Sequence, residues 1–143
     1  MGSATDQCIG DVMVSPTSPI KETAVLPEIS DIFLKSPRNY LPVLSNDKRL
    51  VGIISLLEEK AHLNAGEELR AVIALDLMRP VKTTLTPNAR LMDALPTIMG
   101  SEMEMIPVVN SEREMRLVGS VSRGKTLGLL SESIGESSQE NQI

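Results

Sequence analysis

The residues that most resemble a chemical apparatus lie near the end of the chain. Gly119-Ser120-Val121-Ser122-Arg123-Gly124-Lys125-Thr126 fits the pattern G-x-x-x-x-G-K-T, and it follows an apolar pair, Leu117-Val118. In a phosphate-binding loop of that pattern, backbone amides cradle the phosphates, the lysine reaches the outer ones and the hydroxyl holds Mg²⁺. The mechanism also needs a βαβ context and an acidic Mg²⁺ partner further on. Only 17 residues follow Thr126, and most are polar, so a P-loop nucleotide hydrolase stands as the alternative reading. No catalytic residues are assigned. The one histidine, His62, sits among charges in Glu58-Glu59-Lys60-Ala61-His62, and the one cysteine is Cys8. One cysteine permits neither an internal disulfide nor a Cys-rich zinc site. No metal site is expected. The pairs Glu58-Glu59 and Glu67-Glu68 diverge by about 100° on a helix and read as solvated faces.

Composition narrows the class further. The chain has 143 residues, a net charge of −5 from 14 basic and 19 acidic side chains, and 41% hydrophobic residues. Its only aromatics are Phe33 and Tyr40. Nucleic-acid binders stack bases on aromatic rings and neutralise phosphates with basic patches, so nucleic acid is not an expected partner. No run reaches the roughly 18–20 apolar residues of a membrane span, so the fragment itself does not insert. With one cysteine and no disulfide, a reducing, cytoplasmic setting is the simpler expectation. Met1-Gly2-Ser3 resembles a vector-derived leader, assigned to 1–9, and the polar stretch 133–143 reads as a disordered tail.

An internal repeat organises the rest. Asp11-Val12-Met13 returns as Asp76-Leu77-Met78, and Leu41-Pro42-Val43-Leu44 as Ile106-Pro107-Val108-Val109, both 65 positions on. Leu50-Val51-Gly52-Ile53-Ile54-Ser55 returns as Leu117-Val118-Gly119-Ser120-Val121-Ser122, 67 positions on, the two extra residues falling in a polar turn. The first repeat is placed at 10–65, a linker at 66–75 and the second repeat at 76–132. Apolar spacing at Leu26, Ile29, Ile32 and Phe33 predicts a helix over about 24–35 with Thr23 as its N-cap. Leu91, Ala94, Leu95 and Ile98 predict its counterpart, kinked or broken at Pro96. Hairpins follow at Tyr40–Leu44 with Leu50–Ile54 and at Met105–Val109 with Leu117–Val121, then helices over about 55–63 and 123–133. The expected class is α+β, two β-α-β-β-α units related by a pseudo-twofold. Neither unit, at roughly 60 residues, would bury enough surface alone, so they should share a core.

An x-Pro-Val strand, a polar turn and Leu-Val-Gly-x-x-Ser opening a helix, preceded by Asp-x-Met, resembles the CBS domain; two in tandem over 10–132 resemble a CBS pair, or Bateman module. The resemblance implies a non-enzymatic regulatory module that forms a disc-like homodimer and often binds adenine nucleotides between its repeats. The stretches Gly52–Glu58 and Leu69–Met78 are most similar to the C-terminal pair of chloride channels or transporters. That implies a soluble domain on the cytoplasmic side of a membrane, with the membrane-embedded transport domain of the same parent chain as its partner.

The family's ligand motif, Gly-x-x-(Ser/Thr)-x-x-Asp in one of its forms, implies a nucleotide site. Its hydroxyl reaches phosphate or ribose, and its carboxylate holds the ribose hydroxyls. The first repeat offers Gly52, Ser55 and Glu58; the second offers Ser122 and Arg123 but has Lys125 where the acid belongs. A missing charged partner costs on the order of 1.5–3 kcal/mol, roughly ten- to a hundredfold in affinity. By the family's pattern Thr84 faces the first motif and Pro19 the second. The better expected pocket is therefore Ser55, Glu58 and Thr84, with weak binding of AMP, ADP or ATP. No ring is expected to sandwich the adenine. No cofactor is required.

Overall fold

Residues 6–16, 18–57, 59–60 and 72–140 are described by the computed structural model. Their elements run α1 (Ile9–Val12), β1 (Ile20–Lys21), α2 (Leu26–Lys35), β2 (Tyr40–Leu44), β3 (Leu50–Ser55), α3 (Ala74–Leu77), α4 (Leu91–Met99), β4 (Met105–Val109), β5 (Leu117–Ser122) and α5 (Arg123–Glu140). In the first sheet β1 runs parallel to β2, and β2 antiparallel to β3. The second sheet pairs β4 with β5, and the place of a first strand is taken by one parallel bridge, Leu85 to Val108. This is the expected α+β pair, with the two hairpins in the same register 65–67 positions apart.

The short lead-in helices α1 and α3 are exchanged between repeats. Ile9 is fully buried in the second core with Leu85, Leu91, Ile98, Ile106, Val108 and Val121. Val72, Ala74 and Leu77 are buried in the first, with Leu26, Ile29, Leu41, Val43 and Ile54. The backbone repeats the exchange. Val14 pairs with Ser120 of β5, and Arg79 with Ile53 of β3, by two hydrogen bonds of 2.8–2.9 Å each. Each repeat therefore completes its sheet with a segment that precedes the other repeat.

The repeated motifs acquire physical causes here. Asp11 and Asp76 accept hydrogen bonds from the N–H groups of Cys8 and Ile73 at 2.8 and 3.0 Å, closing the first turn of α1 and α3. Met13 and Met78, at the ends of those turns, cross the backbone at Gly119 and Gly52, where no side chain would fit. Among the described residues the two hairpin turns also meet, Arg49 pairing with Arg116 near the pseudo-twofold. Lys48 and Met115 adopt positive φ at equivalent places beside that contact.

Several expectations are corrected. Helix α2 starts at Leu26, not at Thr23 plus one, because Pro27 presets the first turn and the carbonyl of Val72 accepts the N–H of Leu26 at 3.1 Å. The counterpart α4 starts on the carbonyl of Gln7, 2.8 Å from the N–H of Leu91. Helix α4 continues through Pro96 to Met99; the proline is on the exposed side, and Leu91, Ala94 and Ile98 keep the buried face. Helix α5 extends to Glu140, beyond the end expected at 133. Ile9, read as the last residue of a leader, is core, and Val72 and Ala74, read as linker, are core as well. Glu59, read as solvated, is buried and accepts a hydrogen bond from Ser30 Oγ.

Candidate functional site

Strand pairing places Tyr40 directly opposite Ser55, so both side chains project from one face of the hairpin. They line a cavity of about 340 Å³ together with Asn39, Leu56, Leu57, Lys60 and Glu102. Ser55 itself is only 6% exposed. A neighbouring space of about 200 Å³ shares Glu102 and is lined by Ile53, Arg79, Lys82 and Thr83. The first repeat's cleft is thus built from the end of its own hairpin, the segment leading into the second repeat, and the loop before β4.

The expected residues fall as follows. Gly52 is buried under Met78 and the Arg79 carbonyl, so its role is close packing of the crossing segment. Thr84 is half-buried and does not line the Ser55 cavity; its neighbour Thr83 lines the adjoining one. Glu58 lies outside the described residues, as does His62. Sequence reasoning missed Tyr40, Lys60, Glu102, Lys82 and Thr83. Tyr40 was legible only as a strand residue, and its opposition to Ser55 follows from hairpin register. No ring is expected to sandwich an adenine; the pairing sets Tyr40 on the lining of the Ser55 cavity.

The second cleft is arranged differently. Ser122, Lys125 and Thr126 line a space of about 490 Å³ with Val12, Val14 and Asp11 from the first repeat's lead-in. Arg123 turns away from it. Its Nη1 donates to the Ser101 carbonyl at 2.6 Å, its Nε is 3.6 Å from Glu104 Oε2, and it lines a separate cavity of about 290 Å³ with Asn39, Tyr40 and Glu104. Ser122 and Arg123 are therefore not brought together.

The G-x-x-x-x-G-K-T string is not a loop. From Gly119 to Ser122 it runs extended as β5, paired residue by residue with β4 from Val108 to Met105, so its amides cannot converge on a phosphate. Thr126 is buried, and its hydroxyl donates to the Ser122 carbonyl at 2.8 Å. Among the described residues no group of three or more His, Cys, Asp or Glu could hold a metal ion, and no helix is long and apolar enough to cross a membrane. A carboxylate in the turn of the first hairpin is electrostatically perturbed. Hydrogen bonding from Ser45 Oγ lowers the pKa of Asp47; desolvation opposes it, and backbone hydrogen bonding and the charges of Arg49 and Arg116 add smaller lowering contributions.

Tandem hairpin units that exchange their lead-in segments and open clefts at the exchange define a paired-repeat module. The CBS domain family matches residues 9–58 and 73–132, and the chain belongs to that family. Among solved structures it is similar to the CBS-pair protein CBSX2 of Arabidopsis thaliana at 21% identity, over 92% of this chain and 99% of that one, with a TM-score of 0.72. CBSX2 in complex with AMP aligns at 22% identity over 88% and 97% of the two chains, with a TM-score of 0.69. The soluble part of a magnesium transporter aligns at 16% identity over 90% of this chain and 49% of that one, with a TM-score of 0.73. Among curated protein sequences, none matches. At these identities the structural likeness speaks to the fold.

Proposed function

We propose that this CBS pair is a non-enzymatic regulatory and dimerisation module on the cytoplasmic side of a membrane transport protein, of the chloride channel or transporter kind. In this reading it senses adenine nucleotides weakly through the cleft of its first repeat. The observation that carries the ligand reading is the cavity where Tyr40, Ser55 and Lys60 meet. A ring offers a stacking surface, worth about 1–3 kcal/mol per base where it is used. A hydroxyl and an ammonium offer a donor and a charge for ribose or phosphate. Glu58 stands in the motif position of the ribose acid, one methylene longer than the usual aspartate. Glu102, on the rim of the same cavity, opposes phosphate and keeps the affinity low.

Two further points support the reading. A fold relative, CBSX2, has been crystallised with AMP, and another is the soluble part of a magnesium transporter. Leu34 on α2 and Met99 on α4, 65 positions apart, both carry exposed apolar side chains at equivalent helix ends, which suits burial against a second copy. Ligand or partner binding would bias the attached protein between states by its differential affinity for them.

The test is a thermal melt with millimolar AMP, ADP or ATP, run beside sedimentation. Binding to the native state raises Tm by mass action. A dimer whose Tm rises with at least one nucleotide is expected. A dimer that no nucleotide shifts would be a structural scaffold and would overturn the ligand reading; a monomer would overturn the dimerisation.

A further inference from the structure

Glu104 holds the start of α5. Its Oε1 accepts from the Gly124 N–H at 2.9 Å and from the Ser122 hydroxyl at 3.4 Å, and its Oε2 is 3.6 Å from Arg123 Nε. An amide at a helix start, a hydroxyl and a guanidinium are the donors a phosphate would use at this turn. Here one internal carboxylate takes all three. Helix α5 has no acidic residue in its own first turn, so the positive end of its dipole is answered by Glu104 from the bend just before β4.

Gly124 points the same way. A Cβ on it would stand 2.9 Å from Glu104 Oε1, so the second glycine of the phosphate-loop look-alike makes room for a side chain of the same protein. The first repeat differs at this position. Its Asn39 accepts the Leu56 N–H through its backbone carbonyl at 2.8 Å, as Glu104 accepts that of Arg123 at 2.8 Å, but its side chain is a neutral amide.

We propose that Glu104 is a built-in counter-anion that closes the second repeat's Ser122–Lys125 turn to phosphate-bearing ligands and confines them to the first cleft. The inference rests on the reading that such ligands enter this pair at all. It makes Glu104 a specificity-determining residue: each cleft has a nearby carboxylate, but Glu104 is bonded to the amide, hydroxyl and guanidinium of the helix start, whereas Glu102 lines the first cavity.

The experiment is an amide-resolved NMR titration with inorganic phosphate and, separately, ATP, on the unsubstituted chain, Glu104→Gln and Glu104→Ala. The Glu104 side chain is 52% exposed, so neither substitution removes core packing. In the unsubstituted chain the Gly124 and Lys125 amides should stay still to millimolar ligand. In both variants they should move and saturate, at an affinity at least about tenfold tighter. Saturable movement of Gly124 with Glu104 in place, or stillness in both variants, would overturn the inference. The first cleft is read separately at the Tyr40 and Leu56 amides. If those stay still while Gly124 responds in the variants, the Glu104 assignment stands and the first-cleft reading fails.

Discussion

The sulfur of Met78 stands 2.7 Å from the point a Cβ would occupy on Gly52, and Met13 repeats the relationship over Gly119 at 2.8 Å. A thioether could swing aside, but the carbonyls of Arg79 and Val14 lie 2.9 Å from the same two points and belong to backbone held in the cross-repeat pairing. Gly52→Ala and Gly119→Ala should each cost about 1–3 kcal/mol by overpacking, read as a lowered midpoint in chemical denaturation. Adding Met78→Ala to Gly52→Ala should restore only part of the loss. Full restoration would show that the side chain alone needed the space.

Exchange of the lead-in helices makes stability non-local. Ile9→Ala removes a fully buried side chain from the second repeat's core, although Ile9 precedes the first repeat's hairpin. The expected cost is about 2–5 kcal/mol. Hydrogen exchange should show Val108 and Val121 losing protection before Val43 and Ile54. The reverse order would contradict the exchange.

Asp11 and Asp76 each close a single turn with one charge-assisted bond to an N-terminal amide. Replacing either by Ala should cost about 1 kcal/mol, as for other helix-start caps. Asn at the same positions should recover part of it. Urea melts of the four variants suffice, and no loss in either alanine variant would contradict the role.

Asp47 gives the pH dependence. Its folded pKa is below the ordinary aspartate value, chiefly through the Ser45 hydroxyl, so its stabilising contribution is present above the unfolded pKa and disappears as pH falls through the folded one. An NMR titration of its carboxyl should find a midpoint below the usual range, and Ser45→Ala should move it upward. Because the Asp47 side chain is 54% exposed, the effect on stability should be small and weaken with salt.

The hairpins were legible in the sequence because each carries its own evidence: an apolar run, a polar turn, a second apolar run, all repeated. Which segment completes each sheet was not. Repetition fixes what recurs, and both an exchanged and an unexchanged pair would show the same 65-residue spacing. For the same reason Thr23 looked like a cap: nothing local announces that Val72, far along the chain, supplies the carbonyl for Leu26. At the clefts, Ser55 and Ser122 from the motifs each line a cavity, whereas Thr83 rather than Thr84 lines the space beside Ser55, and Arg123 bonds Ser101 and Glu104. Side-chain direction around a strand end depends on register and on neighbours from other segments, and these are set by tertiary pairing.

The central claim is one weak adenine-nucleotide site per chain, in the cleft of Tyr40 and Ser55. Calorimetric titration of AMP, ADP and ATP to millimolar concentration tests it most directly, on the unsubstituted chain, Ser55→Ala and Glu58→Ala. The account predicts saturable binding of at least one nucleotide at one site per chain, weakened about tenfold or more in each variant. No heat with any of the three nucleotides, or binding that both variants retain in full, would contradict it.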